Sequence, residues 1–390
     1  MRIPQCLKLK PVIRNITYLA QDFDKARAWL AVLLAVLMVF IGACKTQGQV
    51  QSTIPDLPAC HIIFDAGSKA TRLYIYEQTA DGWVKHTGPR RDALADPVRG
   101  NRGKTLSDID QVVNDIVTSL EDMRLGGVVN RKGKRRLPAF DWRTRCQLKA
   151  ASVFATAGMR LAELHNAAGS ELLWSKLNKA LSESVDMEVT TRTISGPEEG
   201  LYAWLAIREG QMSAEQADDR FGMAEMGGVS VQLTFPCEDC TGSRMVRVKG
   251  RDIAIASYSL LGWGQDEAWK ASGSILACAR GAGKDNPAWL PADCADSISV
   301  SGRSESFTSG TDQDLRWYLA GAFRYMQDTD IEHFCRQGLD SGFEPVSSCF
   351  RAVYLQDVLQ TLGVPPGSEK SDLDWTLGAV ICAATQCIDR

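Results

Sequence analysis

The sequence predicts an α/β fold built of two similar lobes that face one central cleft. Three observations carry that prediction. The chain has 390 residues, enough for two separate cores. Apolar runs of strand length alternate with stretches of helical periodicity, the pattern of layered α/β structure. The segment Asp65-Ala66-Gly67-Ser68, with a β run behind it, is echoed 160 residues later by Glu225-Met226-Gly227-Gly228 and the run Val229-Ser230-Val231-Gln232-Leu233.

The first 44 residues stand apart from that fold. A basic and polar lead ending in Lys25 and Arg27 meets the apolar stretch Ala28 to Ala43 and closes on Ile41-Gly42-Ala43-Cys44. This is the form of an export segment. Its last four residues resemble the bacterial lipobox, in which small residues fit the signal peptidase and the cysteine thiol receives diacylglycerol. Cys44 is then the expected lipidation site and mature N-terminus. The alternative is a retained membrane anchor, although its 16 apolar residues fall short of the ~20 that span a bilayer. Both readings place the remainder outside the cytoplasm, facing the periplasm or the cell exterior.

Residues 45–57 read as a polar linker. His61 to Phe64 is expected as a buried strand and Arg72 to Tyr76 as its hairpin partner. A helix is expected from about Ser107, with Asp110 completing a capping box and Ile109, Val112, Val113, Ile116, Val117, Leu120 and Met123 forming one apolar stripe. Gly126 and Gly127 end it. The basic run from Arg131 to Arg136 reads as a solvated loop or as a contact for anionic lipid headgroups. A strand from Lys149 to Phe154 follows, then a turn over 155–160 and a helix through about Leu181. The β-rich stretch Val185 to Ile194 leads into Ser195-Gly196-Pro197-Glu198-Glu199-Gly200 and a further helix.

The two echoed hairpins suggest paired α/β halves of the RNase H type, as in actin-like ATPases and sugar kinases, whose paired loops grip phosphates from opposite sides. The first lobe is expected over 58–194 with the returning segment 372–390, and the second over 195–371.

Composition narrows the partners. A net charge of -3 supplies no basic excess with which to neutralise a nucleic-acid backbone. Setting aside Cys6 and Cys44, ten of the twelve cysteines remain, an even number suited to five bridges in an oxidising compartment. Connectivity does not follow from sequence. Pairing by neighbours would join Cys60 to Cys146, Cys237 to Cys240, Cys278 to Cys294, Cys335 to Cys349, and Cys382 to Cys387. The Cys237/Cys240 pair also has the spacing of half a zinc site, but no second such pair accompanies it.

At each hairpin tip, Gly67 or the pair Gly227 and Gly228 would let backbone N–H groups approach phosphate oxygens. Hydroxyls of Ser68 and Thr71 add donors, and Lys69 or Arg72 adds positive charge. The acidic neighbours Asp65 and Glu225 cannot bind phosphate themselves. They make sense as holding Mg²⁺ or Ca²⁺ through its waters. Glu198 and Glu199 open a helix, where either a plain first-turn acid or a base that deprotonates water would be at home.

Five segments, in order, resemble the apyrase or ectonucleoside triphosphate diphosphohydrolase family. They are Phe64 to Arg72, Ala155 to Arg160, Ile194 to Trp204, Glu225 to Gln232, and Asp374 to Gly378. The stretch Tyr258 to Ala268 is similar to a sixth. The resemblance implies that Glu199 is the general base and that Ser230 and Gln232 orient the attacking water. It implies that Thr156 supports that water or the metal's hydration shell, with Arg160 as a structural or electrostatic aid, and that Trp375 closes the metal side. Trp204 and Trp263 are expected to serve packing. The family usually has Asp where this chain has Glu225, Ser or Thr at Lys69, Gly at Ala70, and Ala-Ser-Thr at Val229-Ser230-Val231.

The expected function is extracytoplasmic hydrolysis of nucleoside tri- or diphosphates by a membrane-anchored monomer, with a divalent cation and without nucleic acid. An exopolyphosphatase or guanosine pentaphosphatase shares the two-loop architecture and is the alternative among enzymes. A nucleotide-binding surface lipoprotein without catalysis is the alternative outside them. Tyr354, Phe343 and Trp317 are either stacking platforms for a base or core.

Overall fold

The computed structural model describes residues 57–126, 136–210, 219–272, 315–325, 347–365 and 367–388, with Cys278, Cys294, Ile331 and Cys335. The export segment with Cys44, the linker up to residue 56, the basic run up to Arg135 and Phe343 lie outside them.

Strands β1 (Ala59–Ala66) and β2 (Thr71–Thr79) form the first expected hairpin, extended by β3 (Gly82–Arg91). Helix α1 (Ile109–Leu125) precedes β4 (Gln147–Ala155), then α2 (Ala157–His165), α3 (Ala167–Val185), β5 (Val189–Thr193) and α4 (Gly196–Gly210). The second half contains β6 (Phe221–Met226), β7 (Ser230–Pro236), β8 (Arg244–Val248), β9 (Arg251–Leu261) and α5 (Gln265–Ala271). It continues with β10 (Arg316–Gly321), α6 (Ser348–Thr361), β11 (Glu369–Lys370) and α7 (Trp375–Thr385).

The echo in the sequence is an echo in topology. The first sheet has the order β3-β2-β1-β4-β5 and the second β11-β10-β6-β7-β9-β8. In each, a hairpin strand pairs antiparallel on one side, β1 with β2 and β6 with β7. On its other side it pairs parallel, β1 with β4 and β6 with β10. Read outward from β6, the second sheet repeats the first and adds β8 at its edge. This is the two-lobed α/β architecture expected from the paired tips.

Local chemistry corrects several boundaries. The capping box is formed by Thr105 and Asp108, not by Ser107 and Asp110, so a short 3-10 turn precedes α1. The stripe Ile109, Val112, Val113, Ile116, Leu120 and Met123 is buried as expected, each such side chain contributing about 1.5–3 kcal/mol of burial. The stretch after Thr156 is two helices rather than a turn and one helix. Asn166 interrupts it, its side chain accepting from Gly169 N at 2.9 Å and starting α3. That helix runs to Val185, so the next strand begins at Val189 rather than Val185.

The core lies in three layers. One covers the outer face of the first sheet, where Leu173, Leu177 and Leu181 of α3 meet Ile62, Phe64 and Val153. Another covers the second sheet with α5 and α6. Between the sheets, α4 and α7 pack against each other with Ile63, Tyr76, Phe221 and Met223. At Gly378 the helix backbones nearly touch, since a Cβ there would overlap the Tyr202 carbonyl oxygen. Trp204 stacks on Phe221 with ring centroids 4.9 Å apart and donates to its carbonyl at 3.1 Å. Trp263, Trp317 and Tyr354 are also core.

All five neighbour pairings occur as disulfides: Cys60–Cys146, Cys237–Cys240, Cys278–Cys294, Cys335–Cys349 and Cys382–Cys387. Cys237 and Cys240 are therefore a bridge, not half a zinc site. Among the described residues no helix is long and apolar enough to cross a membrane.

Candidate active site

The two hairpins meet at their tips. Gly228 has no room for a side chain, because a Cβ would overlap Asp266 Oδ2 and lie 2.7 Å from Ser68 Oγ. Ser68 thus faces Gly228 across the gap, with Gly67 and Gly227 behind them in their loops. Lys69 spans the same gap, its Nζ 3.0 Å from Asp266 Oδ2.

Each hairpin delivers a carboxylate at the end of its first strand. Asp65 stands opposite Arg72, whose Nη1 donates to Asp65 Oδ2 at 2.6 Å. Arg72 is therefore ion-paired with the first carboxylate. Glu225 stands opposite Gln232 in the equivalent register. Its Oε2 is buried and has no hydrogen-bond partner among the described residues. Thr71 is not brought to open space: it is 1 % exposed and its hydroxyl is shielded, with no partner among the described residues. Thr156 precedes α2 beside the first hairpin, its N–H donating to Ala66 O at 3.3 Å.

The two adjacent glutamates of α4 separate cleanly. Glu198 accepts from Arg192 at 2.9 Å and from Tyr202 Oη at 2.7 Å. Burial alone would raise its pKa, but these donors hold it below the usual range. Glu199 points the other way. It is 7 % exposed, and its Oε2 accepts from Arg160 Nη2 at 2.8 Å and from Gln232 Nε2 at 3.2 Å. Gln232 also donates to Ser230 Oγ at 2.7 Å, and Arg160 to the same oxygen at 3.2 Å. Glu199, Ser230, Gln232 and Arg160 are thus one hydrogen-bonded group. Burial pushes Glu199 up to about 7, with Arg160 pulling down and Asp65 pushing up.

Sequence reasoning overlooked Asp374. It caps α7, accepting from Thr376 N at 3.2 Å, and pairs with Lys85 Nζ at 3.0 Å. Its charge acts on both Asp65 and Glu225, raising their pKa values. The signal was present, because Asp374 opens the same short segment that drew attention to Trp375. Trp375 itself is buried in the central layer, 4 % exposed.

Four carboxylates therefore act on one another in a region that burial makes costly for negative charge. Glu225 is held well above its ordinary value by burial, then by Glu199, Asp65 and Asp374. Asp65 is raised as well, chiefly by burial and despite Arg72. An unpartnered buried carboxylate oxygen among mutually repelling acids is a donor set that fits a divalent cation. Among the described residues, no three His, Cys, Asp or Glu side chains are grouped to ligate one directly.

A model of the GDA1/CD39 (nucleoside phosphatase) family matches residues 58–349. The chain belongs to that family. Among curated members, it is 26% identical over 252 residues to ectonucleoside triphosphate diphosphohydrolase 8 of Bos taurus, covering 60% of this chain and 47% of that one. It is 24% identical over 281 residues to ectonucleoside triphosphate diphosphohydrolase 1 of Mus musculus, covering 67% and 51%. The chain thus spans about half the length of these GDA1/CD39 relatives. A nucleoside triphosphate hydrolase structure from Neospora caninum shares the fold, with a TM-score of 0.52 at 16% identity, covering 88% of this chain and 96% of that one.

Proposed function

We propose that this GDA1/CD39 protein hydrolyses nucleoside tri- and diphosphates outside the cytoplasm, releasing the terminal phosphate by in-line attack of water. The observation that carries the reading is Glu199. It is a buried carboxylate with its pKa pushed up to about 7, hydrogen-bonded to Gln232 and Arg160 and set between two glycine-bearing hairpins.

Phosphoryl transfer asks for positioning and charge stabilisation more than for covalent chemistry. Glu199 takes the proton of the attacking water, which Ser230 and Gln232 orient and Thr156 supports. Backbone amides at Gly67 and Gly228, with the Ser68 hydroxyl, bind the phosphate oxygens, while the Gly227 N–H closes the second hairpin by donating to Ser230 O at 2.9 Å. Asp65 and Glu225, with Asp374, would hold Mg²⁺ or Ca²⁺, and Trp375 would close the metal side. When bound, the cation supplies positive charge against that which builds on the phosphates. Lys69 joins the phosphate site by exchanging Asp266 for a phosphate oxygen. The two lobes take the limits 58–194 with 372–390, and 195–371. The export segment and Cys44 lipidation would keep a monomer at a membrane surface.

Phosphate release from ATP, ADP, UDP, GTP and polyphosphate, with magnesium or calcium and with EDTA, tests the reading. Cation-dependent release from nucleotides is expected, and Glu199→Gln should reduce turnover by roughly 10²–10⁴ while nucleotide still binds. Turnover near wild type in that variant would remove Glu199 from the chemistry.

A further inference from the structure

Outside the meeting point of the hairpin tips a cavity of about 450 Å³ opens, lined by Ser68 and Lys69 of the first tip and Val229 of the second. That volume lies within the range of small-ligand sites. Its charge is lopsided. Asp266 is shared by Lys69 Nζ at 3.0 Å and Arg351 Nη2 at 2.7 Å. Glu267 is shared by Arg99 Nη2 at 3.1 Å and Lys270 Nζ at 3.0 Å. Among the described lining residues, two carboxylates therefore serve four cations, and Arg102 brings one more to the same walls. Arg102 reaches buried Asp96, which still leaves the bases in excess.

Positive charge gathered around a partly enclosed space is stabilised by an incoming anion. Phosphate oxygens suit guanidinium and ammonium donors best. The chemistry suits a base less well. Among the described residues Trp269 is the aromatic ring in the lining, and it is packed edge-on against Phe350 with centroids 5.1 Å apart.

We infer that this cavity is a second phosphate subsite, taking phosphoryl groups that lie beyond those gripped at the hairpin tips. It rests on the reading of the cleft as a polyphosphate site, and it names the substrate class. The preferred ligands carry more phosphate than an ordinary nucleoside triphosphate, either as a longer linear chain or as an extra phosphate on the ribose.

Calorimetric titration of the full chain, as Glu199→Gln and with magnesium, avoids turnover. The probes are ATP, adenosine 5′-tetraphosphate, ATP bearing a 3′-phosphate, and adenosine. At least one extra phosphate should tighten binding tenfold or more over ATP. That ratio should fall toward one in Arg99→Gln and, separately, in Lys270→Gln, whose side chain is more than half exposed and whose loss spares the core. A gain confined to the tetraphosphate assigns a linear chain, and one confined to the 3′-phosphate assigns the ribose; either sustains the subsite. Equal affinities for ATP and both analogues, a gain that survives both substitutions, or adenosine binding as tightly as ATP overturns it and leaves the hydrolase reading standing. Failure of all probes to bind, with no phosphate released by the unsubstituted chain, removes both.

Discussion

The guanidinium of Arg160 lies 2.8 Å from the Glu199 carboxylate, although the two residues come from different helices, α2 and α4. The same cation reaches Ser230 of β7, so one side chain links three elements of the proposed site. It also pulls the pKa of Glu199 down against the larger rise that burial imposes.

Glu199 must be ionised to accept a proton, so turnover should rise with pH through about 7, the value to which burial pushes it. Arg160 pulls that value down. Replacing it with Met should move the acidic limb of the pH–rate profile upward by about one unit or more. The variant should then lose more turnover at pH 6 than at pH 9. An unmoved limb with uniformly lower rates would make Arg160 a packing residue only.

Stability should carry the signature of the carboxylate cluster. Glu199, Asp65 and Glu225 all titrate higher in the folded chain than ordinary carboxylates, first through burial. From about the ordinary carboxylate range up to about 7, the folded state therefore holds more protons than the unfolded one, and stability falls as pH rises. In EDTA the melting temperature should drop between pH 5 and pH 8. Magnesium or calcium should restore more of it at pH 8 than at pH 5, and Glu225→Gln should flatten both trends. Thermal scans at the two pH values measure this; a cation effect of equal size at both would count against the cluster.

The Cys60–Cys146 bridge joins residues 86 apart at the paired ends of β1 and β4. By the chain-entropy argument, closing a loop of that length stabilises the fold by about 4.6 kcal/mol. Urea unfolding of the double Cys→Ser variant should show a lower midpoint, with unchanged nucleotide specificity in whatever fraction is folded.

Gly378→Ala should destabilise by about 1–3 kcal/mol, because the added methyl overlaps backbone, which cannot rotate away. The gain in helix propensity, about 1 kcal/mol, offsets only part of this. Denaturation by guanidinium checks it; a neutral result would mean that α4 and α7 can separate freely.

Much of this was legible in local pattern. The hairpins showed because an acid, a glycine and a β run recur at fixed spacing, and α1 showed because seven of its apolar residues fall on one face. Glu199 could be separated from Glu198 only by resemblance, since both are first-turn acids. What stayed hidden depends on partners remote in sequence. Nothing near Lys69 announces Asp266, and nothing near Arg72 says that its guanidinium is held by Asp65. Asn166 was missed because one polar residue between two helical stretches reads as easily as surface as it does as a cap.

The contact of α4 with α7 has a mechanical meaning. Where a helix abuts another main chain to main chain, there is no layer of side chains to absorb displacement. The spacing of the two sheets across α4 and α7 is therefore set by main-chain contact, and any residue larger than glycine at 378 would have to push the pair of helices apart.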